Sequence, residues 1–452
     1  MLNINKIKCD CLVVGTGASG YTAALAAKRL GVDTLLIEKE SLIGGSLCQS
    51  FVSPVMTFHA FPNEQVIKGI AEELIAAAVD LKLCSGHVLD MTGTAATITP
   101  LQPDLFPYLV LKKLADAGVK LLIQSMAVDV KLKNNQITEV LVQNKSGCQV
   151  IQPKIVIDAT GDADLAAKAG VPFKIGREQD QKTQPMSLLF KVGNVDFSKI
   201  RQEISKNPAN FTLHPDYLAN PDNFTSLAVS GFFEEVRRAQ NQGLLLFRDR
   251  MLFFEMPFSN QVIVNVTRIN DLLGINASDL TTAYQVGINQ IYEIFRVLKA
   301  FIPGFSSSEL IAVAPKVGVR ETRHIVGEYI LTKEDIVSGK KFEDRIARGA
   351  FPMDIHSPDG SKLDLSHGAI NDYYTIPYRT LLPKGIRNLL VTGRPISATH
   401  EANASARVSP TCMALGQAAG TAAYLAIRYK TDVLDLNVKQ LQQLLLKQKA
   451  LV

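Results

Sequence analysis

Two short clusters in this sequence set proton-exchanging side chains next to anion-binding ones. In RETRH, Arg320 and Arg323 stand three residues apart, with Glu321 and His324 beside them. On a helix the two guanidiniums would share a face and could clamp a carboxylate or phosphate through paired hydrogen bonds. The plainer reading is an interdomain ion pair, with Glu328 or Asp354 as the acid. In PMDIH, Asp354 precedes His356 by two residues. On an extended segment both side chains face the same way, so the acid can orient the imidazole for general acid–base work. Of the other histidines, His87 and His214 sit in polar, loop-like contexts, and His367, in SHGAIND, is open to either role. The six cysteines include no C-x-x-C pair and no metal-ligand spacing, so no metal site is expected and a reduced, cytoplasmic protein is.

The glycines of VVGTGASG indicate what such groups would serve. Gly15, Gly17 and Gly20 hold the G-x-G-x-x-G spacing, between a strand-like run, CLVVG, and a helical one, YTAALAAKRLG, ended by Gly31. Gly15 permits the tight turn, Gly17 lets backbone approach a pyrophosphate, and Gly20 lets the helix pack on the strand. The helix N-terminus adds free N–H groups for the phosphates. A second strand, DTLLIEK, ends at Glu38, whose carboxylate would accept from the two hydroxyls of an adenosine ribose and disfavours a 2′-phosphate.

The rest of the pattern supplies the elements that must position these groups. The chain has 452 residues, 47% hydrophobic and 20% charged, with a dispersed net charge of +5, an ordinary globular composition without a nucleic-acid stripe. No apolar run reaches membrane-spanning length, and the first apolar segment is the nucleotide-binding strand itself, so no signal peptide is expected. DLFPYLVLKKLADAGVKLLIQS reads as helix, turn and strand, and AVDVKL, ITEVLVQN and QVIQPKIVIDATGD as an antiparallel meander. Beyond residue 173 the segments turn polar, then give strands in RDRMLFFEMPFSNQVIVNVTRI and an amphipathic helix ended by Pro303 and Gly304. From residue 376 the apolar pattern resumes. The expectation is a discontinuous α/β domain over 1–173 and 376–452, with an α+β substrate domain inserted at 174–375.

Only one G-x-G-x-x-G is present, so no second nucleotide domain for NAD(P)H is visible. Three later segments return to the same ligand. VIDATGDAD ends a strand at Asp158 and turns at Gly161; LLVTGRP ends one at Gly393. VSPTCMALGQAAG begins a helix at Pro410, with the small residues of a buried helix packed closely on a ligand. Such distant contacts suit the long, two-ended FAD.

Together VVGTGASGYTAALAAKRLG, LIEKESLIGG, SPVMTFHAFP, VIDATGDADLAAKAGVPFKIGRE, QPMSLLF, VGVRETRHIVGEY, FPMDIH, IPYRTLLPKGIRNLLVTGRPIS and ARVSPTCMALGQAAGTAA closely resemble the bacterial FAD-dependent oxidoreductase family. That family has a glutathione-reductase-type FAD fold and is broadly similar to fumarate reductases. The resemblance implies a Rossmann-like FAD-binding domain with an inserted substrate domain. It implies that Gly15, Gly17, Ser19 and Gly20 hold the pyrophosphate, with Glu38 on the ribose and Lys39 along the adenosine. Gly44, Gly45 and Ser46 would pass beneath the ribityl–phosphate region, Ala127 would read adenine through its backbone, and Thr160, Gly161 and Gly393 would line the pyrophosphate. The N–H groups of Cys412 and Met413 would face the flavin N1–C2=O edge.

Disulfide reductases of this fold carry two cysteines after the glycine pair; here Cys48 stands alone, so dithiol chemistry is not expected. The function implied is hydride transfer between flavin N5 and a small anionic or polyhydroxy metabolite, with an unspecified electron donor or acceptor and homo-oligomerisation left open. Arg323 would bind the anionic group, while His356 or His400 exchanges the proton; His59 and His324 also fall in family motifs. Arg379, Arg394 and Arg407 add positive charge near the flavin. The alternatives are a fumarate-reductase-like ene reductase, with Arg323 as proton donor, and a flavin electron carrier without its own organic substrate.

Overall fold

The computed structural model describes residues 5–357, 363–364 and 372–452; His367 lies outside the described residues. Strand β1 (Asn5–Val14) runs into the glycine turn and helix α1 (Ala18–Arg29), and β2 (Thr34–Ile37) follows. β3 (Lys120–Leu122) leads into a meander of β4 (Ser125–Lys133), β5 (Gln136–Asn144) and β6 (Gly147–Asp158). The last strand, β7 (Leu389–Val391), returns from near the far end of the chain. β3, β2, β1, β6 and β7 pair in parallel, in that order, whereas β4 and β5 extend the sheet antiparallel along the first half of β6. Alternate residues of β1 feed two apolar layers: Cys11 and Val13 face the helices, and Leu12 and Val14 the opposite cluster. This is the Rossmann-like α/β sheet that the sequence pattern implies.

Helix α2 (Ser409–Tyr429) lies against α1 at a spacing that only glycine allows. A Cβ on Gly416 would stand 2.1 Å from the Ser19 carbonyl oxygen, and one on Gly420 2.1 Å from that of Ala23. Gly416 and Gly420 of MALGQAAGTAA therefore serve helix–helix contact.

The middle of the chain builds a five-stranded antiparallel sheet, in the order Ala228–Gly231, Met251–Glu255, Val262–Val264, Phe190–Gly193 and Glu309–Val313. The helix Ala277–Phe301, capped by the Asn276 side chain, buries Ala283, Gly287, Ile291, Ile294 and Leu298 against its core. No parallel strand–helix–strand unit occurs there among the described residues. The apolar core of this unit gathers residues from Met186 to Val317, joined by Phe51, Met91 and Ile98. Leu331, Ile336, Phe342, Ile346, Met353 and Tyr374 instead pack into the core around α1 and α2. By packing, the inserted unit therefore closes near residue 320 rather than at 375.

Candidate active site

The glycine turn forms a cradle sealed by backbone. A Cβ on Gly15 would meet the Ala159 carbonyl oxygen at 2.4 Å, and one on Gly20 the Gly15 oxygen at 1.8 Å. Gly44 donates to the Thr16 carbonyl at 3.0 Å, and a Cβ on Gly45, at φ +58°, would stand 2.6 Å from the Gly17 Cα. Gly393 closes the far side, where a Cβ would lie 2.5 Å from the Ser19 hydroxyl. Gly17 differs from these, because its Cβ would meet nothing nearer than 3.9 Å. Its missing side chain leaves space in front of the α1 N-terminus, where a pyrophosphate needs the backbone.

At the end of β2 Glu38 is 6% exposed, and its carboxylate accepts from the Thr16 N–H at 2.8 Å, the Thr16 hydroxyl at 2.6 Å and the Glu40 N–H at 3.0 Å. Of about four lone-pair positions, that leaves room for one ribose hydroxyl rather than two. Ser125 donates to the Glu38 carbonyl at 2.7 Å, which brings half-buried Ala127 alongside. Asp158 organises the next turn, accepting from Thr160 and from the Ala166 N–H. Gly161 follows at φ +82°. Lys39 points to Asp164, 3.9 Å away, and Ser46 is exposed.

Cys48 is buried, its thiol pushed well up by desolvation, and a Cβ on Gly44 would meet its sulfur at 2.3 Å. It is a packed structural thiol.

The N–H groups free at the start of α2 are not those expected. The helix begins at Ser409, one residue before Pro410, so Cys412 already donates to the Val408 carbonyl at 3.0 Å. Met413 lies a further position inside. An α-helix leaves only its first few N–H groups without internal partners, and Pro410 has none, so Ser409 and Thr411 are the donors available here.

The two sequence clusters meet in the interior, although RETRH is not helical. Arg323 begins a strand, Arg323–Ile325, paired with Phe173–Ile175, and Arg320 and Glu321 precede it in backbone without regular secondary structure. The shared helical face is therefore absent, and the two arginines part company. Arg320 donates to the Pro185 carbonyl at 2.6 Å and the Ser187 hydroxyl at 2.8 Å. Beside it a small polar pocket, partly open to solvent, is lined by Arg248, Arg268 and His356, with Asn265 and Thr267. Burial, and then the charge of Arg407, bring Arg320 down to about 9, still charged at neutral pH.

Two imidazoles here are each backed by a carboxylate. His356 Nε2 lies 3.2 Å from Asp354, which also accepts from Arg407 at 3.2 Å. Burial, and then the Arg320 guanidinium, lower His356 to about 3, so the ring is neutral. Glu321, 1% exposed, takes His400 Nδ1 at 2.9 Å and His324 Nε2 at 2.8 Å. Burial alone would raise the Glu321 carboxyl, but the two imidazoles outweigh it and bring it down to about 2. Gln184 joins the pairs, donating its N–H to Glu321 at 3.0 Å and accepting from the His356 N–H at 3.3 Å. His400 Nε2 has no partner among the described residues, whereas His324 Nδ1 is buried and unpaired.

Two further histidines, His59 and His87, contact each other. His87, expected in solvent, is half-buried between Thr99 at 2.8 Å and Glu72 at 3.0 Å. His59 packs edge-on against it and bonds Thr97 at 3.0 Å.

Arg323 takes the plainer of its two readings, with acids other than those expected. Its guanidinium donates to the Asp162 carbonyl and the Asp164 carboxylate, both at 2.9 Å, and lies over the Phe173 ring. Asp162 is held by Arg394 at 2.5 Å, and Arg379 pairs with Asp344 at 2.8 Å. The expected result for Arg323→Ala is a loss of about 1–3 kcal/mol, between the values for exposed and buried pairs. It would appear as a lower melting midpoint with normal flavin content and ligand response in the folded fraction. Unchanged stability with a lost ligand response would return Arg323 to the substrate.

Glu321, Gln184, Arg248 and Arg268 were the groups that sequence reasoning passed over or left unassigned. Gln184 and Glu321 lie in motifs singled out above, but nothing local tells a buried bridging carboxylate from a solvated one.

Comparison with known proteins adds the following. A family model described as FAD dependent oxidoreductase matches residues 10–445. A thiamine thiazole synthase of Methanococcus vannielii is 31% identical over 173 residues, 36% of this chain and 60% of that protein. A digeranylgeranylglycerophospholipid reductase of Methanocaldococcus jannaschii is 27% identical over 167 residues, 36% of this chain and 41% of that protein. The match thus spans less than two thirds of either relative. Among solved structures, p-nitrophenol 4-monooxygenase of Pseudomonas putida is similar with TM-score 0.50 at 10% identity, over 96% of this chain and 84% of that one. A geranylgeranyl bacteriochlorophyll reductase-like protein of Thermoplasma acidophilum gives TM-score 0.47 at 16% identity, over 99% and 85% of the two chains. No described helix is long and apolar enough to cross a membrane.

Proposed function

The chain belongs to the FAD-dependent oxidoreductase family, and from that premise we propose that this enzyme oxidises or reduces a small anionic metabolite held by Arg320. Bound FAD supplies the hydride acceptor or donor, at its N5. Gly15, Gly17, Ser19, Gly20, Gly45 and Gly393 would hold the pyrophosphate, and Glu38 the ribose. The glutathione-reductase type of FAD domain rests on the sequence motifs alone.

The observation that carries the reading is the cavity in which Arg320, Arg268 and Arg248 face His356, tied through Asp354 and Arg407 to the segment just before α2. Hydride exchange at a carbon bearing a hydroxyl or amine needs a group to take or return the heteroatom proton. His356, lowered to about 3, is a weak base and serves as a neutral hydrogen-bonding group. His400 suits the proton role, because Glu321 holds its Nδ1 and leaves Nε2 to hold or release the proton. Arg323 is committed to Asp162 and Asp164 and is not among the residues that line that cavity.

Anaerobic bleaching of the flavin by a metabolite panel tests this. Carboxylate- or phosphate-bearing metabolites should bleach it, and their esters or amides should fail to do so. Equal bleaching by uncharged analogues would overturn the anionic assignment.

A further inference from the structure

Arg248 is the residue that the contacts leave unexplained. It is 7% exposed, its Nε is buried without a partner, and its guanidinium makes no hydrogen bond or ion pair with any described residue. The neighbouring acid does not serve it, because Asp249 binds Arg250 through both oxygens at 3.1 Å. Asp354, a buried carboxylate beside His356, is taken by His356 and Arg407. Arg320 is held only by neutral oxygens. Among the described residues, neither of these two guanidiniums lining the cavity forms an ion pair with a carboxylate.

A buried, unpaired charge is costly. The mutual strain shows in Arg248 itself, which burial and then the Arg268 charge lower to about 10. A chain that keeps such a group against its own stability gains from it when an anion arrives.

We propose that Arg248 binds a second acidic group of the substrate, so that the enzyme selects small dianions over monoanions. This rests on the reading of the cavity as the substrate site, with Arg320 on the first acidic group. Two carboxylates on one short skeleton, or a doubly charged phosphate, supply the same chemistry: anionic oxygens that the guanidinium fork can take in pairs. Asn265, Thr267 and Ser187 line the same cavity and add uncharged hydrogen-bonding groups for the skeleton between.

The test uses FAD-loaded, full-length enzyme titrated with malonate, succinate and inorganic phosphate, and with acetate and propionate as monoanions. Binding is followed by flavin absorbance and calorimetry. At least one dianion should bind about tenfold or more tighter than the monoanions. Arg248→Gln should weaken that dianion about thirtyfold, the lower end of what losing a buried charge partner costs, and leave the monoanions unchanged. Arg320→Gln should weaken both kinds. The phosphate and dicarboxylate arms show which source of negative charge fits.

Without ligand, Arg248→Gln should raise the melting midpoint, since it removes an unpaired buried charge. Equal affinity for mono- and dianions, or an Arg248→Gln enzyme that keeps its dianion preference, overturns the proposal while the anion site stands. If no anion binds the wild type, the anion reading of the cavity fails, and this proposal with it. A lowered midpoint in Arg248→Gln would show that the arginine has a structural partner, and would also overturn it.

Discussion

Gly17→Val should give a protein that folds and melts like the wild type and contains almost no flavin. The separation of folding from binding follows from the local geometry. A side chain at Gly15 or Gly20 would be driven into backbone at 2.4 Å or 1.8 Å, so variants there report on folding. Gly17, with its nearest neighbour 3.9 Å from an added Cβ and an ordinary φ of −66°, accepts a side chain without clash or backbone strain. The valine would occupy the space where the pyrophosphate approaches the N–H groups of α1. Each hydrogen bond to a charged group contributes about 1.5–3 kcal/mol, so losing two weakens FAD by on the order of a hundredfold or more. The checks are the flavin-to-protein absorbance ratio and circular dichroism of the same sample. A folded Gly17→Val protein with normal flavin content would remove the glycine turn from the cofactor site.

The second large effect is expected at His400. With FAD content intact, His400→Ala should slow substrate-driven flavin bleaching roughly a hundred- to ten-thousand-fold, the usual contribution of a positioned acid or base. Reduction by dithionite, which needs no such group, should proceed at the wild-type rate. Glu321→Gln should fall between the two, since an amide oxygen still accepts from one imidazole but the buried charge that steadies both is gone. Stopped-flow absorbance separates these cases. Wild-type bleaching in His400→Ala would pass the proton role to His356 or to solvent. Loss of flavin together with fold would make the Glu321 bridge purely structural.

Much of this protein was legible because its signals are local. The strand, glycine turn, helix and acid of residues 9–38 are set by short-range spacing, and they appear as β1, α1, β2 and Glu38. The meander after residue 125 and the amphipathic helix ended by Pro303 follow from two- and 3.6-residue periodicity in the same way. The Asp354–His356 pair was readable too, because two side chains separated by two residues on extended backbone meet with no help from the rest of the fold.

The start of α2 was not readable to the residue. A shift of one position moved the free N–H groups from Cys412 and Met413 to Ser409 and Thr411. The small residues of that helix likewise met α1, which the sequence could not distinguish from a ligand surface.

The sequence by itself therefore determined the cofactor turn and the kinds of group available for chemistry: guanidiniums, imidazoles and the acids beside them. Only the tertiary structure decided which groups each of them meets. Arg323 finds Asp164 across 159 residues, Arg320 faces an arginine from residue 248, and Glu321 reaches a histidine 79 residues away. The same charged side chain is a structural tie when a carboxylate of its own chain lies within reach, and stays open to a ligand when none does. That distinction depends on distances of a few ångströms between segments far apart in the chain, and no local spacing encodes it.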